Sequence, residues 1–258
     1  MIVTPIKTRV LIPPQDDLLD AMRHSIKSLA EKSIVVITSK TVSIWEGRCL
    51  SQSAHKRDGL VPEEAEYYFP KIKTPLFEYQ AAIKHNAFIA SAGIDKSNSG
   101  NYFTLLPLKP NESAKIIWAW LRKKYGIRNC GVLITDSHLM PFRRGTVGLS
   151  IGFYGFEPLT DYRGTPDLFG NPLQVTLRNV ADGIAAAAVA VMGEGNESTP
   201  IAVVTDIPFV RFISRPYRPK NPGDGLLVKP RDDVFYPLLR KAKWKKGRGG
   251  KEIRKLLR

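Results

Sequence analysis

Cysteines, long apolar runs and paired metal-binding histidines are what this 258-residue sequence lacks. It has two cysteines, Cys49 and Cys130, and no CxxC pair, which argues against a disulfide framework or a cysteine zinc site. No run approaches the roughly 18–20 apolar residues that span a bilayer, and the N-terminus lacks the pattern of a secretory signal. The four histidines show neither HxxxH nor HExxH spacing. We therefore expect a cytoplasmic protein that does not cross a membrane.

Acidic residues are also scarce relative to basic ones, 24 against 39, which leaves a formal net charge of +15. Residues 240–258 hold ten Lys and Arg and one Glu, so this tail alone accounts for +9 and the preceding residues for +6. The charge of +6 on residues 1–239 is ordinary for an enzyme that binds anionic substrates. The tail is expected to be solvated or loosely docked, with contact to nucleic acid, membrane or a protein partner as the alternative.

Apolar periodicity alternates between strand and helix patterns along the chain. Runs rich in β-branched residues predict strands at 34–37, 132–134 and 201–204, and apolar patterns predict further strands at 87–90 and 148–153. Spacing of 3.6 residues predicts a helix that begins near Asp16, a helix over 113–125 with Ile116 and Ile117 among its inward residues, and a helix over 179–192. Residues 51–62 are predicted to form a loop, with Pro62 opening a short helix. The irregular order of strands and helices predicts an α+β chain with mixed sheets and flanking helices.

Three short loops share one form, in which a strand or helix end is followed closely by a carboxylate. Their carboxylates are Asp95, Asp136 and Glu194, hard oxygen ligands of the type that Mg²⁺ or Mn²⁺ prefers. A fourth segment, Thr38-Ser39-Lys40, has hydroxyls and an ammonium suited to phosphate oxygens, although the P-loop pattern GxxxxGK[ST] is absent. Each segment could equally be a turn or a helix cap. Their shared chemistry makes a site more plausible than any one of them does.

Two further residues attract attention and are set aside. His138 could hydrogen-bond a substrate carboxylate, but the simpler interpretation is that it lines the site and has no acid–base role. Ser150 lies in GLSIG at 148–152, which superficially matches GxSxG. The strand-like alternation there argues against a nucleophile elbow, which needs a strand–turn–helix context.

Five separated motifs together resemble the CofE-like family. They are TSKxVSxxEGR at 38–48, GIDKSN at 93–98, ITDS at 134–137 with FRRGTVGLSIG at 142–152, DYRGTPDLFG at 161–170, and VADGIAAAAVAVMGEGNE at 180–197. The best-known members are γ-glutamyl ligases that add L-glutamate to the deazaflavin coenzyme F-420 precursor. The resemblance implies a domain of two intertwined subdomains over 1–205, followed by a Pro-rich extension at 206–239 and the basic tail at 240–258. The chain after 206 looks more like a bacterial subgroup proposed to act on folate.

The resemblance also implies a chemistry and the residues for it. It implies GTP or ATP as co-substrate, two Mg²⁺ or Mn²⁺ ions, an acyl-phosphate intermediate attacked by the glutamate amine, and a homodimer. It implies Asp95 and Asp136 as ligands of one metal, and Ser137 and Glu194 as ligands of the second. The implied nucleotide contacts are Ser39, Lys40, Asn98, Met192, Gly193, Gly195, Asn196 and Glu197. To these we add Arg143 and Arg144 as catalytic clamps for phosphate or carboxylate, because guanidinium binds planar oxyanions bidentately.

Two departures from the family pattern concern specificity. Ile44 stands where the F-420 ligases have a nucleotide-contacting lysine, which leaves ATP or GTP open, and Ile44 with Trp45 could form a wall for a flat ring. Met140 stands where relatives often have an arginine. The leading hypothesis is a ligase that adds L-glutamate to the γ-carboxylate of a folate-type cofactor, with coenzyme F-420-0 as the alternative acceptor. A nucleic-acid-binding protein that uses the tail is the alternative from another class.

Overall fold

The computed structural model describes residues 1–73, 75, 78–219, 224–228, 232–241 and 243–249. Within them the strands are β1 (Ile2–Ile6), β2 (Ser33–Thr38), β3 (Cys49–Ser51), β4 (Tyr67–Tyr68), β5 (Ile72–Lys73), β6 (Glu78–Tyr79), β7 (Ala81–Lys84), β8 (Ala87–Ala90), β9 (Tyr102–Thr104), β10 (Cys130–Leu139), β11 (Thr146–Tyr154), β12 (Leu159–Asp161), β13 (Leu177–Asn179), β14 (Ile201–Thr205) and β15 (Lys245–Lys246). The helices are α1 (Leu18–Ser25), α2 (Ser39–Trp45), α3 (Arg57–Glu64), α4 (Pro110–Tyr125), α5 (Val180–Met192) and α6 (Tyr236–Leu239). This mixture confirms the predicted α+β class.

The main sheet has five strands in the order β1-β14-β2-β10-β11. Strand β2 pairs in parallel with β10 and antiparallel with β14. Both faces of the sheet are covered, which explains the uninterrupted apolar run of β2. Val35 and Ile37 face the core shared with α1, α2 and α4, whereas Ile34 and Val36 face α5. The strands predicted from β-branched runs are confirmed.

Helix α5 packs closely on the sheet because its inner face is built from small residues. Ala181, Ala185 and Ala188 are completely buried there. On the strand beneath, a Cβ at Gly148 would lie 2.3 Å from the Ala185 carbonyl oxygen, so only glycine fits. The Asn179 side chain accepts a hydrogen bond from the Asp182 N–H and caps the helix, as the predicted start required.

Helix α4 covers the opposite face and differs in detail from its prediction. It begins at Pro110, three residues earlier than predicted, because proline is well suited to a first helical turn. Trp118 is a core residue whose Nε1 donates to the Cys130 carbonyl. The prediction that Ile116 faces inward is wrong: its side chain is 53% exposed, while the adjacent Ile117 is fully buried.

The prediction for residues 51–64 is wrong. Helix α3 already begins at Arg57, and Pro62 lies in its second turn instead of opening it. Proline costs the helix one backbone hydrogen bond. The helix forms nonetheless because Leu60, Val61 and Glu64 are buried on one side of it.

A smaller unit is built around α3 and a four-stranded sheet in the order β15-β4-β7-β8. Its core includes Leu60 and Val61 from α3, with Ala82 and Phe103 from the strands. Strand β15 comes from the basic tail, so the stretch 243–249 is docked on the body, while 250–258 lie outside the described residues. Nucleic-acid contact by the tail and the proposed domain boundaries stay predictions. No described helix combines the length and apolarity needed to cross a bilayer.

A buried ion cluster holds this smaller unit together. The Glu64 carboxylate is completely buried and accepts a hydrogen bond of 2.8 Å from Arg48 Nη2. Lys84 Nζ lies 3.2 Å from the same carboxylate oxygen and donates to the Glu64 backbone carbonyl at 2.8 Å. Arg48 and Lys84 are 3% and 2% exposed, so all three charges depend on one another for compensation.

We expect Glu64→Gln to lower the free energy of unfolding by about 3–5 kcal/mol, because it leaves two buried cations without their anion. Urea unfolding followed by circular dichroism measures the loss. The matched control is Asp58→Asn on the same helix, whose ion pair with Lys71 is exposed, and this variant should unfold at nearly the same urea concentration as the wild type. Equal losses in the two variants would contradict the interpretation of a buried, interdependent cluster.

Candidate active site

The site begins where the parallel strands β2 and β10 stop running together. Thr38 is the last residue of β2 and pairs with Thr135 of β10. The next residues, Ser39 and Asp136, are therefore neighbours, and Ser39 Oγ donates to Asp136 Oδ1 at 2.6 Å. Asp136 was expected in a loop, but β10 continues to Leu139 and pairs with β11 throughout. The register of β10 against β11 shifts between Ile134 and Thr135, where Ile151 of β11 has no opposite residue, just before the carboxylate.

The second loop places Asp95 beside Lys40, at the start of α2. Lys40 Nζ lies 2.8 Å from Asp95 Oδ2 and donates to the Ser97 carbonyl and hydroxyl oxygens at 2.7 and 2.9 Å. The Ser97 N–H and hydroxyl both donate to the Asp95 carboxylate. The loop is thereby folded around one ammonium group, which holds its carboxylate at the cleft.

The third loop follows α5 and meets β10 and β11 through Glu194. Glu194 Oε1 accepts hydrogen bonds from Ser137 Oγ at 2.7 Å and from Thr146 Oγ1 at 3.0 Å. Asn98 Nδ2 donates to the Gly195 carbonyl at 2.7 Å, which joins the second and third loops across the site. The contact of Asn98 joins residues 97 apart in the sequence, and the contacts of Glu194 join residues 57 and 48 apart.

These loops line one open cavity of about 820 Å³, a volume in the range of small-molecule sites. Every residue predicted as a metal ligand or nucleotide contact lies on its wall: Ser39, Lys40, Asp95, Asn98, Asp136, Ser137, Met192, Gly193, Glu194, Gly195, Asn196 and Glu197. Ile44 also lines the cavity, whereas Trp45 does not, so only half of the predicted apolar wall is present. The roles of these residues stay predictions.

Other predicted residues lie outside this cavity. Arg143 and Arg144 occupy the exposed turn between β10 and β11, and Met140 is 49% exposed beside them. His138 does not line the cavity either, and its Nδ1 is buried without a hydrogen-bond partner among the described residues. Ser150 lies mid-strand in β11 and is buried, which excludes the nucleophile-elbow geometry.

Sequence reasoning missed two parts of the site. Thr146 contributes a hydroxyl to Glu194, and residues 8–13 form one wall of the cavity. Arg9 in that wall is held by two hydrogen bonds to the Asp16 carboxylate at 2.7 and 2.9 Å. The only local signal was the proline pair Pro13-Pro14, which indicates an irregular segment without saying what it contacts.

The two neighbouring carboxylates titrate differently. Burial raises the pKa of Asp136 to about 6, and the charge of Asp95 adds to this, whereas the hydrogen bond from Ser39 opposes it. Burial also acts to raise the pKa of Asp95, but the hydrogen bond and charge of Lys40 outweigh it and leave that pKa below its ordinary value. Asp136 therefore lacks a direct cationic partner among the contacts described. No group of three or more His, Cys, Asp or Glu side chains in the described part of the chain is arranged to hold a metal ion.

The match to known proteins includes all the residues that line the cavity. The model of the F420-0:gamma-glutamyl ligase family matches residues 5–206. A coenzyme F420:L-glutamate ligase of Methanococcus maripaludis is 31% identical over 239 residues, which cover 87% of this chain and 93% of that protein. The Methanopyrus kandleri protein of the same name is 31% identical over 250 residues, covering 90% and 96%. That of Methanocaldococcus jannaschii is 41% identical over 154 residues, covering 59% and 58%.

An α+β fold with an oxygen-rich cleft, matched over most of its length by ligases, defines the chain as an amino-acid ligase. It belongs to the F420-0:gamma-glutamyl ligase family. The resemblance drawn from the five motifs is thereby confirmed.

The raised pKa of Asp136 predicts a pH-dependent stability of the metal-free protein. The folded state keeps this proton up to a pH of about 6, whereas the unfolded chain loses it near 4. Raising the pH through that window therefore favours unfolding. We measure melting temperatures in EDTA and subtract that of the wild type from that of Asp136→Asn. This difference should increase between pH 4 and 6 and stay constant above pH 6. A gap independent of pH would contradict the raised pKa.

Proposed function

We propose that this protein joins L-glutamate through an amide bond to coenzyme F420-0, in a reaction that consumes ATP or GTP. The proposal is supported by relatives that carry the name coenzyme F420:L-glutamate ligase over about nine-tenths of this chain. This favours the deazaflavin acceptor over the folate-type acceptor that the C-terminal segment suggested. The observation that carries the proposal is the cleft in which two carboxylate–hydroxyl pairs, Asp136 with Ser39 and Glu194 with Ser137, lie beside Lys40.

The proposed chemistry requires no protein nucleophile. A carboxylate acylates an amine poorly because oxide is a poor leaving group, and phosphorylation of the acceptor carboxylate supplies a better one. The glutamate amine then attacks the acyl phosphate and releases phosphate. The protein must hold several anionic reactants together and offset their charge.

Lys40 and Asn98 suit that task. The Lys40 ammonium is a compact charge of the kind that binds phosphate, and in the free protein Asp95 and Ser97 hold it at the cleft. Asn98 fixes the distance between the Asp95 loop and the Gly195 loop through its hydrogen bond to the Gly195 carbonyl. A nucleotide bound between these loops would be oriented by both. Arg143 and Arg144, in the exposed turn beyond Ser137 and outside the cavity, remain our proposed clamps for phosphate or carboxylate.

The donor set of the cleft fits divalent metal ions. Asp95 and Asp136 form one pair of oxygen donors, and Ser137 and Glu194 form the other. Mg²⁺ commonly takes one or two carboxylates and completes its shell with water and substrate phosphates, so two protein donors for each ion suffice. When bound, such ions would neutralise phosphate charge and polarise the phosphoryl group. The pair Asp95 and Asp136 also repel each other, which a shared cation would relieve.

We further propose a homodimer, supported by two exposed apolar patches. The turn between β10 and β11 presents Phe142, which is fully exposed, beside Met140. The loop between β12 and β13 presents Leu168 and Phe169, which are 98% and 89% exposed. Clusters of large exposed apolar side chains are typical of protein–protein contacts.

The reaction is tested by incubating the protein with Mg²⁺ or Mn²⁺, ATP or GTP, glutamate, and either coenzyme F420-0 or a folate monoglutamate. Mass spectrometry should find F420-0 heavier by one glutamyl residue, and EDTA should abolish the product. Asp136→Asn should lower the rate by at least about 100-fold, whereas the surface variant Asp58→Asn should retain it.

The arms of this assay separate the parts of the proposal. Product from folate alone would refute the F420-0 acceptor, and no product from either acceptor would refute both acceptors proposed. Full activity of Asp136→Asn would contradict the metal assignment while leaving the ligase reaction in place.

The dimer is tested by light scattering coupled to size exclusion. We expect twice the chain mass of 28.8 kDa, and a shift toward the monomer in the double variant Phe142→Ser with Phe169→Ser. Ile116→Ser is the control, because that side chain is exposed on α4 outside both patches. A monomeric wild type would refute the dimer, and an unaffected double variant would refute these patches as its interface.

A further inference from the structure

The described part of the basic tail is attached to the smaller unit by its backbone, by one tryptophan and by an ion pair between Arg248 and Glu63 of α3, 3.0 Å apart. Lys245 and Lys246 pair with Tyr68 and Tyr67 as β15, the edge strand of the four-stranded sheet. The Trp244 ring packs edge-on against Phe69, with 4.3 Å between ring centroids. We call residues 244–249 the C-terminal clasp. It lies beyond residues 5–206, which match the family model.

The clasp also closes the C-terminal end of α3, where carbonyl groups lack helical partners. The N–H groups of Gly247, Arg248 and Gly249 donate to the carbonyls of Glu66, Pro62 and Ala65, each at 2.9 Å. The approach at Gly247 is close: a Cβ there would lie 2.1 Å from the Ala65 carbonyl oxygen. A side chain at 247 would therefore push the clasp away from α3.

Helix α3 in turn supports the turn that leads to Asp95. Leu60 and Val61 of α3, with Ala65 directly after the helix, pack in one core with Ala92 and Ile94, and Asp95 comes directly after Ile94.

The turn itself is strained. Ser91 and Ala92 have φ of +50° and +53°, a left-handed conformation that residues with a Cβ rarely adopt. Such a conformation persists only where the surroundings hold it. Ala92 is completely buried, so the core around α3 is what holds the turn.

We propose that the C-terminal clasp is a positioning element of the cleft. It fixes the end of α3, the core of α3 holds the strained turn at Ser91–Gly93, and that turn sets the place of Asp95 and, through Asp95, of Lys40. The lysines of the clasp are exposed and take no part in this. The tail thus acts on the active site through backbone hydrogen bonds, Trp244 and the ion pair of Arg248 with Glu63, and the charges of its lysines are not required.

The test is hydrogen exchange of the full-length protein, read by mass spectrometry on peptides covering 91–98. Gly247→Val and the milder Trp244→Ala should each speed exchange there by at least about tenfold. Exchange in the central strands 34–37 and 132–134 should stay at the wild-type rate. Trp244→Phe, which keeps an aromatic ring against Phe69, should restore protection, and Lys245→Ala should match the wild type.

Two results would overturn the proposal. Exchange confined to 62–68 would mean that the clasp holds only the sheet edge. Acceleration spread equally over the central strands would mean general destabilisation and no specific path to Asp95. The measurement is made without ligands, so it stands whether or not the proposed ligase reaction is found.

Discussion

The parallel pairing of β2 with β10 is the interaction on which the cleft depends. It sets Thr38 opposite Thr135 and therefore Ser39 beside Asp136. At that point β2 turns into α2, while β10 continues and carries Ser137 to the end of α5. A shift of one residue in this register would turn Asp136 to the other face of the sheet. The register of these two strands thus brings Ser39, Asp136 and Ser137 to one edge of the cleft.

Glu64 and Asp136 are both shielded from solvent, but the groups that surround the two carboxylates differ. Glu64 is enclosed by protein and neutralised by Arg48 and Lys84, so its charge serves only the fold. Asp136 is held by a hydroxyl, and burial raises its pKa, with a further contribution from the nearby carboxylate of Asp95. The first arrangement is complete without a ligand, whereas the second leaves negative charge at the wall of an open cavity. This contrast distinguishes a structural ion cluster from a binding site more clearly than residue type does.

The elements that sequence patterns predicted correctly are those whose burial is decided locally. The β-branched runs of β2 and β14 and the capped helix α5 carry their own signals, so their positions were confirmed. Helix α3 was missed because Leu60 and Val61 are buried by Ile94 and Phe103, which lie more than thirty residues further along. Such contacts depend on the fold that they help to create.

The candidate site divides in the same way. Its carboxylates and hydroxyls were found because oxygen donors and family motifs are visible in the sequence. Thr146 and residues 8–13 were missed because their place in the site depends on strand pairing and on the path of the chain around the sheet. For the tail, composition indicated a solvated or loosely docked segment. Residues 247–249 dock through backbone N–H groups, which nearly every residue type possesses, so the composition carries no signal of this docking.

Gly148 has an evolutionary consequence out of proportion to its size. It lies outside the cavity, beneath α5, and a single methyl group there would displace the Ala185 backbone. Helix α5 ends at the loop that carries Glu194, so its height above the sheet also sets the reach of Glu194 toward Ser137. Any lineage that replaced this glycine would have to rebuild the helix packing before it could keep the cleft. The geometry of the cleft therefore depends on a glycine that lies outside the cleft.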